Sequence, residues 1–159
     1  HLALELFKTM TATDLLVVPY KGGGPAISDL IGGQVKGFFN TPGILMPHIT
    51  GGRLRALGVT SAARTDVAPG IPTLAESGVP GYDVSSWNGW VVPAGTPTAI
   101  INKLNSALAR DVRSPDVVKR IADIGAEPVG STPEQFGQVM ATEVPRWHKV
   151  VKDLNLRVE

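Results

Sequence analysis

Leu15-Leu16-Val17-Val18-Pro19-Tyr20-Lys21-Gly22-Gly23-Gly24-Pro25 (LLVVPYKGGGP, residues 15–25) is the stretch on which the fold reading turns. A short apolar, β-branched run is the pattern of a buried strand. Tyr20, Lys21 and the three glycines then read as a turn. Pro25 suits the first residue of a helix, because its ring fixes a helical φ and its missing N–H is not needed there. That helix runs through Leu30 and Ile31 and stops at Gly32-Gly33. Outward from it the same grammar repeats. Residues 35–40 read as a strand, Pro42 opens a helix through His48, Gly51-Gly52 stop it, and residues 53–60 (RLRALGVT) read as a third strand. Upstream, Leu2, Leu4, Leu6 and Phe7 make residues 1–10 a helix. Alternating strand, turn and helix predicts βαβ units, hence an α/β fold with a mostly parallel sheet and flanking helices.

Residues 61–81 differ. Pro69, Gly70, Pro72, Gly78, Pro80 and Gly81 crowd them, with one short helical piece around Thr73 to Ser77, as in a connection between lobes. Residues 82–93 (YDVSSWNGWVVP) read as extended. Three helices follow. Thr96 caps and Pro97 opens the first, with Ile100, Ile101, Leu104, Leu108 and Val112 on one face. Ser114-Pro115 starts the second, and residues 127–129 read as a short strand. Thr132-Pro133-Glu134-Gln135 is a capping-box arrangement opening the third. That helix presents Phe136, Met140, Val144, Trp147, Val151 and Leu154, and Pro145 within it predicts a kink.

The 159 residues are 43% hydrophobic and 18% charged, enough apolar mass for one ordinary domain or two small lobes. A formal net charge of +1 without long runs of one sign offers no broad basic face for nucleic acid and no polybasic membrane patch. The absence of cysteine excludes disulfides, thiol nucleophiles and thiolate metal sites. No stretch approaches the ~20 apolar residues that span a bilayer. A helix that begins at His1 reads as a chain cut from something longer, so a targeting segment would lie upstream.

Lys21 precedes its glycines, and Pro25-Ala26 follow them, so the glycine turn is neither a phosphate loop nor a dinucleotide fingerprint. Two readings stay open for it: a simple tight turn, or backbone N–H groups at a helix N-terminus arranged for a carboxylate. Asn40 and Thr41 stand at a second such place, and Thr60 and Ser61 at a third. Each side chain alone fits a cap or turn role. Together with Tyr20, Gly22 and Gly23 they fit a binding edge, since ligands sit outside the carboxyl ends of strands in open parallel sheets. Trp87 and Trp90 fit either a cleft wall or a core. His1, His48 and His148 lack metal-ligand spacing; His48 and His148 read as surface or helix-end residues. No metal site, catalytic residue or cofactor is expected, because no nucleophile elbow, zinc motif or acid–base pair is present.

HLALELFK, VPYKGGGPAISDLIGGQV, GGRLRALGVTSAAR, IPTLAESGVPGYDVSSWNGWVVPAGTP, IGAEPVGSTPEQF and EVPRWHKVVKDL together resemble the substrate-binding proteins of tripartite tricarboxylate transporters, the Bug-type proteins. The resemblance runs essentially end to end. It implies a non-enzymatic periplasmic receptor, periplasmic-binding-protein-like, for a small mono- or dicarboxylate, amino acid or aromatic acid. Its partners would be the membrane components of the transporter. Members are about twice this length, so the chain would supply one lobe plus part of the other. Residues 1–61 would be the ligand-binding core of the second lobe, 62–81 the interlobe segment, and 82–159 a crossing strand with helices completing the first. Tyr20, Gly22, Gly23, Asn40, Thr41, Thr60, Ser61 and Trp87 would be the ligand-binding positions. The alternative is an inert half. In either case the apolar stripes of the last helices call for cover, by an N-terminal half or by self-association.

Overall fold

The computed structural model describes residues 1–153, and among them six helices form. They are α1 (Leu2–Thr11), α2 (Gly23–Ile31), α3 (Pro42–Thr50), α4 (Thr98–Asp111), α5 (Pro115–Asp123) and α6 (Pro133–Asp153). Leu154, the last position of the expected apolar stripe, lies outside the described residues.

The helix ends follow local chemistry. Pro42 is the first residue of α3, with Thr41 extended before it. At the other end of both α2 and α3 the glycine pair closes a Schellman motif. Gly33 (φ 75°) donates to the Leu30 carbonyl at 3.1 Å and Gln34 to that of Asp29 at 2.8 Å. Gly52 (φ 70°) repeats this on Ile49 at 3.0 Å, with Arg53 on His48 at 2.9 Å. The left-handed backbone at both places is what glycine supplies. Ahead of α6, Thr132 Oγ1 accepts from the Gln135 N–H at 3.2 Å, and Gln135 Oε1 accepts from the Thr132 N–H at 2.9 Å. The capping box is therefore complete. α6 continues through Pro145. α2 begins at Gly23, two residues before Pro25, and Pro97 rather than Thr96 caps α4.

The expected α/β fold with a mostly parallel sheet is not formed: the architecture is all-helical. Residues 15–19, 35–40, 53–60, 82–93 and 127–129 do not build strands. Among the described residues the one β-pairing is an isolated parallel bridge between Val59 and Thr73. In it Val59 donates to Pro72 at 2.8 Å and Leu74 donates to Val59 at 2.9 Å. The reason is physical. An apolar, β-branched run favours extended backbone, but a ladder also needs a neighbour in register, and propensity alone does not supply one. Leu16 is 89% exposed and Leu57 71%, so neither the run at residues 15–19 nor that at 53–60 covers its apolar side chains fully.

The chain divides into two compact units: His1–Ser85 with Asp123–Ala126, and Ser86–Ala122 with Glu127–Glu159. The first holds every fully buried residue among those described: Ala26, Ile27, Ala68, Thr73, Val79 and Tyr82. Phe7 packs on Phe39 and Tyr82 with ring centroids 6.0 and 6.2 Å apart, and the Tyr82 hydroxyl donates to the Ala3 carbonyl at 2.6 Å. Residues 72–82 thus carry the deepest part of this unit. Thr73 and Glu76 cap each other reciprocally there, at 2.7 and 3.0 Å, while Arg64 pairs with Glu76 at 3.0 Å. In the second unit α4 packs on α6, Asn105 donates to the Ser131 carbonyl at 2.8 Å, and Trp87 stands edge-on to Phe136 at 5.3 Å.

Candidate functional site

Gly22 caps α2 with φ 103° and ψ 173°, a conformation that side-chain-bearing residues rarely adopt. The N–H groups of Gly22, Gly23 and Gly24 precede the first intrahelical hydrogen bond, so α2 itself leaves them without acceptors. Ala26 and Ile27, the two buried residues of α2, anchor the helix immediately behind them. The turn thus presents donors and the positive end of a helix dipole on a fixed base.

The second element comes from α3. Asn40 Oδ1 accepts from the Thr41 N–H at 2.7 Å, which orients the amide. Its Nδ2 lies over Gly23, only 2.9 Å from where a β-carbon on that residue would stand. Thr41 caps α3 without a side-chain capping bond, leaving its hydroxyl out of the helix end. Asn40 thus brings the approach to α3 beside Gly23, the first residue of α2, with Gly22 before it and Thr41 after Asn40 in the chain. Beside them, the backbone of Gly43 abuts that of Ile124 and Gly125, whose N atom is 2.8 Å from a notional Gly43 β-carbon. No side chain fits at residue 43.

Tyr20 is held by a partner that sequence reading missed. Its hydroxyl donates to Asp29 Oδ2 at 2.7 Å. Because that carboxylate accepts the proton, the Tyr20 hydroxyl titrates above its ordinary value; desolvation and the Asp29 charge push the same way. Only the nine-residue spacing across a turn and a helix hinted at this pair.

Thr60 and Ser61 are engaged elsewhere in the first unit. The Thr60 carbonyl accepts from the Val84 N–H at 2.8 Å, and Ser61 Oγ donates to the Ala63 carbonyl at 2.7 Å. Trp87 belongs to the second unit, where its ring meets Phe136. His48 sits in the last turn of α3, and its Nδ1 is buried without a hydrogen-bond partner among the described residues. A shallow depression of about 500 Å³ runs along α6 between Glu134 and Glu143, and none of the sequence-predicted site residues lines it. It is one open helix face with acidic flanks, a poor seat for an anion. Among the described residues no group of three His, Asp or Glu side chains could hold a metal, and no helix is long and apolar enough to cross a membrane.

Neutral backbone donors, an amide and a hydroxyl around a helix N-terminus suit an oxyanion and carry no chemistry of their own. The sequence pattern of the Tripartite tricarboxylate transporter family receptor matches residues 1–156. The chain belongs to that family. Protein BugT of Bordetella pertussis (strain Tohama I) is 38% identical over 159 residues, which are all of this chain and 49% of BugT. A protein from the tcbD-tcbE intergenic region of Pseudomonas sp. (strain P51) is 36% identical over 98% of this chain and 47% of its own length. Among solved structures, R. palustris Rpa4515 with adipate is 40% identical with a TM-score of 0.81, over 96% of this chain and 51% of that one. Periplasmic binding protein BugD is 32% identical with a TM-score of 0.80, over 100% and 54%. The chain therefore spans about half the length of these relatives. The family of tripartite tricarboxylate receptors is non-catalytic and periplasmic, as the resemblance implied. It is a family of solute-binding proteins for small carboxylates that work with membrane permease components.

Proposed function

We propose that this tripartite tricarboxylate receptor chain binds a small carboxylate at the turn between residues 20 and 24 and at Asn40 and Thr41. The whole receptor would deliver that ligand to the membrane components of its transporter. One observation carries the reading: Asn40 Nδ2 lies over Gly23 at the N-terminus of α2, where the helix itself leaves the N–H groups of Gly22, Gly23 and Gly24 without acceptors. One carboxylate oxygen is taken by the backbone donors, the other by the Asn40 amide and the Thr41 hydroxyl. Thr60 and Ser61 enter this proposal as further ligand-binding positions of the first unit, and Trp87 as one in the second. Residues 1–61 then form the ligand-binding core of the second lobe, with 62–81 as the interlobe segment and 82–159 completing the first lobe. Adipate, present in the Rpa4515 structure, is a suitable probe.

A second reading is favoured by one specific observation. The second unit has no fully buried residue among those described, while Trp90 is 81% and Val91 76% exposed. In that reading the chain takes ligand only once its apolar faces are covered, by the rest of a receptor of the family's usual length or by a second copy. Calorimetric titration of this chain with adipate, benzoate and chloride separates the two. Saturable heat with a carboxylate and none with chloride supports the first. Heat that appears only with a full-length receptor carrying this sequence supports the second, and no heat in either ends the carboxylate proposal.

A further inference from the structure

Residues 21–24 contain three consecutive glycines and an exposed lysine, and no side chain of theirs is buried. Such a stretch loses more entropy on ordering than any other, so a fixed shape requires ties at its ends. On the helix side the tie is the burial of Ala26 and Ile27. On the other side it is the hydrogen bond from Tyr20 to Asp29.

Asp29 is the one acidic residue of α2 and stands in its last turns, near the negative end of the helix dipole. A carboxylate there is electrostatically misplaced unless it does something for the fold or the site. Its backbone carbonyl already accepts from Gln34 in the helix stop, so the side chain is free to serve a separate purpose. It reaches the phenol that stands directly before the glycine turn.

We propose that Asp29 is a positioning residue: by holding the Tyr20 hydroxyl it fixes the glycine turn so that the N–H groups of Gly22, Gly23 and Gly24 face Asn40 before any ligand arrives. This rests on the carboxylate reading of that turn. Preorganisation of this kind raises affinity by removing the ordering cost from the binding step.

The test uses this chain with Tyr20→Phe, Asp29→Ala, Asp29→Asn and the double variant Tyr20→Phe/Asp29→Ala. Two readouts are taken: ¹⁵N order parameters of Gly22, Gly23 and Gly24, and adipate affinity. In the unsubstituted chain the turn amides should have order parameters near the rigid-backbone value of about 0.85, falling below about 0.6 in Tyr20→Phe and Asp29→Ala. Adipate should bind about tenfold more weakly in each, and still only about tenfold more weakly in the double variant, because both changes break one bond. Asp29→Asn keeps an acceptor oxygen and should restore rigidity and affinity to within about threefold. Unchanged order parameters in Asp29→Ala, or a hundredfold loss in the double variant, would overturn the proposal. So would a mobile turn that binds adipate with undiminished affinity. If the unsubstituted chain takes up no adipate, the carboxylate reading falls, while the loss of order in Asp29→Ala and its rescue in Asp29→Asn still establish the clamp.

Discussion

Replacing Tyr82 separates two contributions to the first unit. The residue is 1% exposed, its ring meets Phe7 at 6.2 Å, and its hydroxyl donates to the Ala3 carbonyl at 2.6 Å. Tyr82→Phe removes the hydroxyl and keeps the ring. Its cost is that of one net hydrogen bond, about 1 kcal/mol. Tyr82→Ala also deletes a fully buried aromatic ring, for which large-to-small changes cost about 3–5 kcal/mol. The lost edge contact with Phe7 contributes about 0.5–1.5 kcal/mol on a pairwise scale. Tyr82→Ala should therefore cost about 4 kcal/mol, against a total stability of about 5–15 kcal/mol for an ordinary domain. Urea unfolding followed by far-UV circular dichroism measures both, with the slope m checked for constancy. Trp87, Trp90 and Trp147 all belong to the second unit, so fluorescence in the same titration reports on that unit separately. A Tyr82→Phe variant as unstable as Tyr82→Ala, or a Tyr82→Ala cost below about 1 kcal/mol, would refute the assignment of Tyr82 to the core.

Three further outcomes are expected. Gly23→Ala places a β-carbon 2.9 Å from Asn40 Nδ2, so adipate affinity should fall about tenfold while unfolding stability, read in urea, changes by less than about 1 kcal/mol. The Thr73 N–H, and then Arg64, hold the Glu76 carboxyl below its ordinary range. A lowered folded pKa means stability that is present above the unfolded glutamate value and lost as pH falls through the folded one. Thermal melts should thus show a steeper acid decline in the natural chain than in Glu76→Gln. Thr132→Ala breaks the capping box of α6 and should cost about 1 kcal/mol in urea unfolding, with the loss of helical signal small before the main transition.

The helices were legible because their signals are local. Pro42, Pro115, the glycine pairs and the box at Thr132 and Gln135 act within one turn of where they stand. The sheet was misread because the run at residues 15–19 specifies extended backbone without specifying a partner, and Leu16 is left 89% exposed. At the candidate site, the two polar turns could be picked out, since glycines before a helix and an asparagine before Pro42 are sequence-local. That Asn40 would lie over Gly23, and that Tyr20 would reach Asp29, depended on the path of α2 between them. Tyr82 meeting Ala3 across 79 positions was beyond any local pattern.

A bound carboxylate should sit at the glycine turn before α2. Titrating ¹⁵N-labelled chain with adipate into the millimolar range, while following every assigned amide, locates it directly. Saturable shifts centred on the N–H groups of Gly22, Gly23 and Gly24 and on the Asn40 side-chain amide are predicted. Saturable shifts confined to the α6 face or to residues around Trp87, with the glycine turn unmoved, would contradict it.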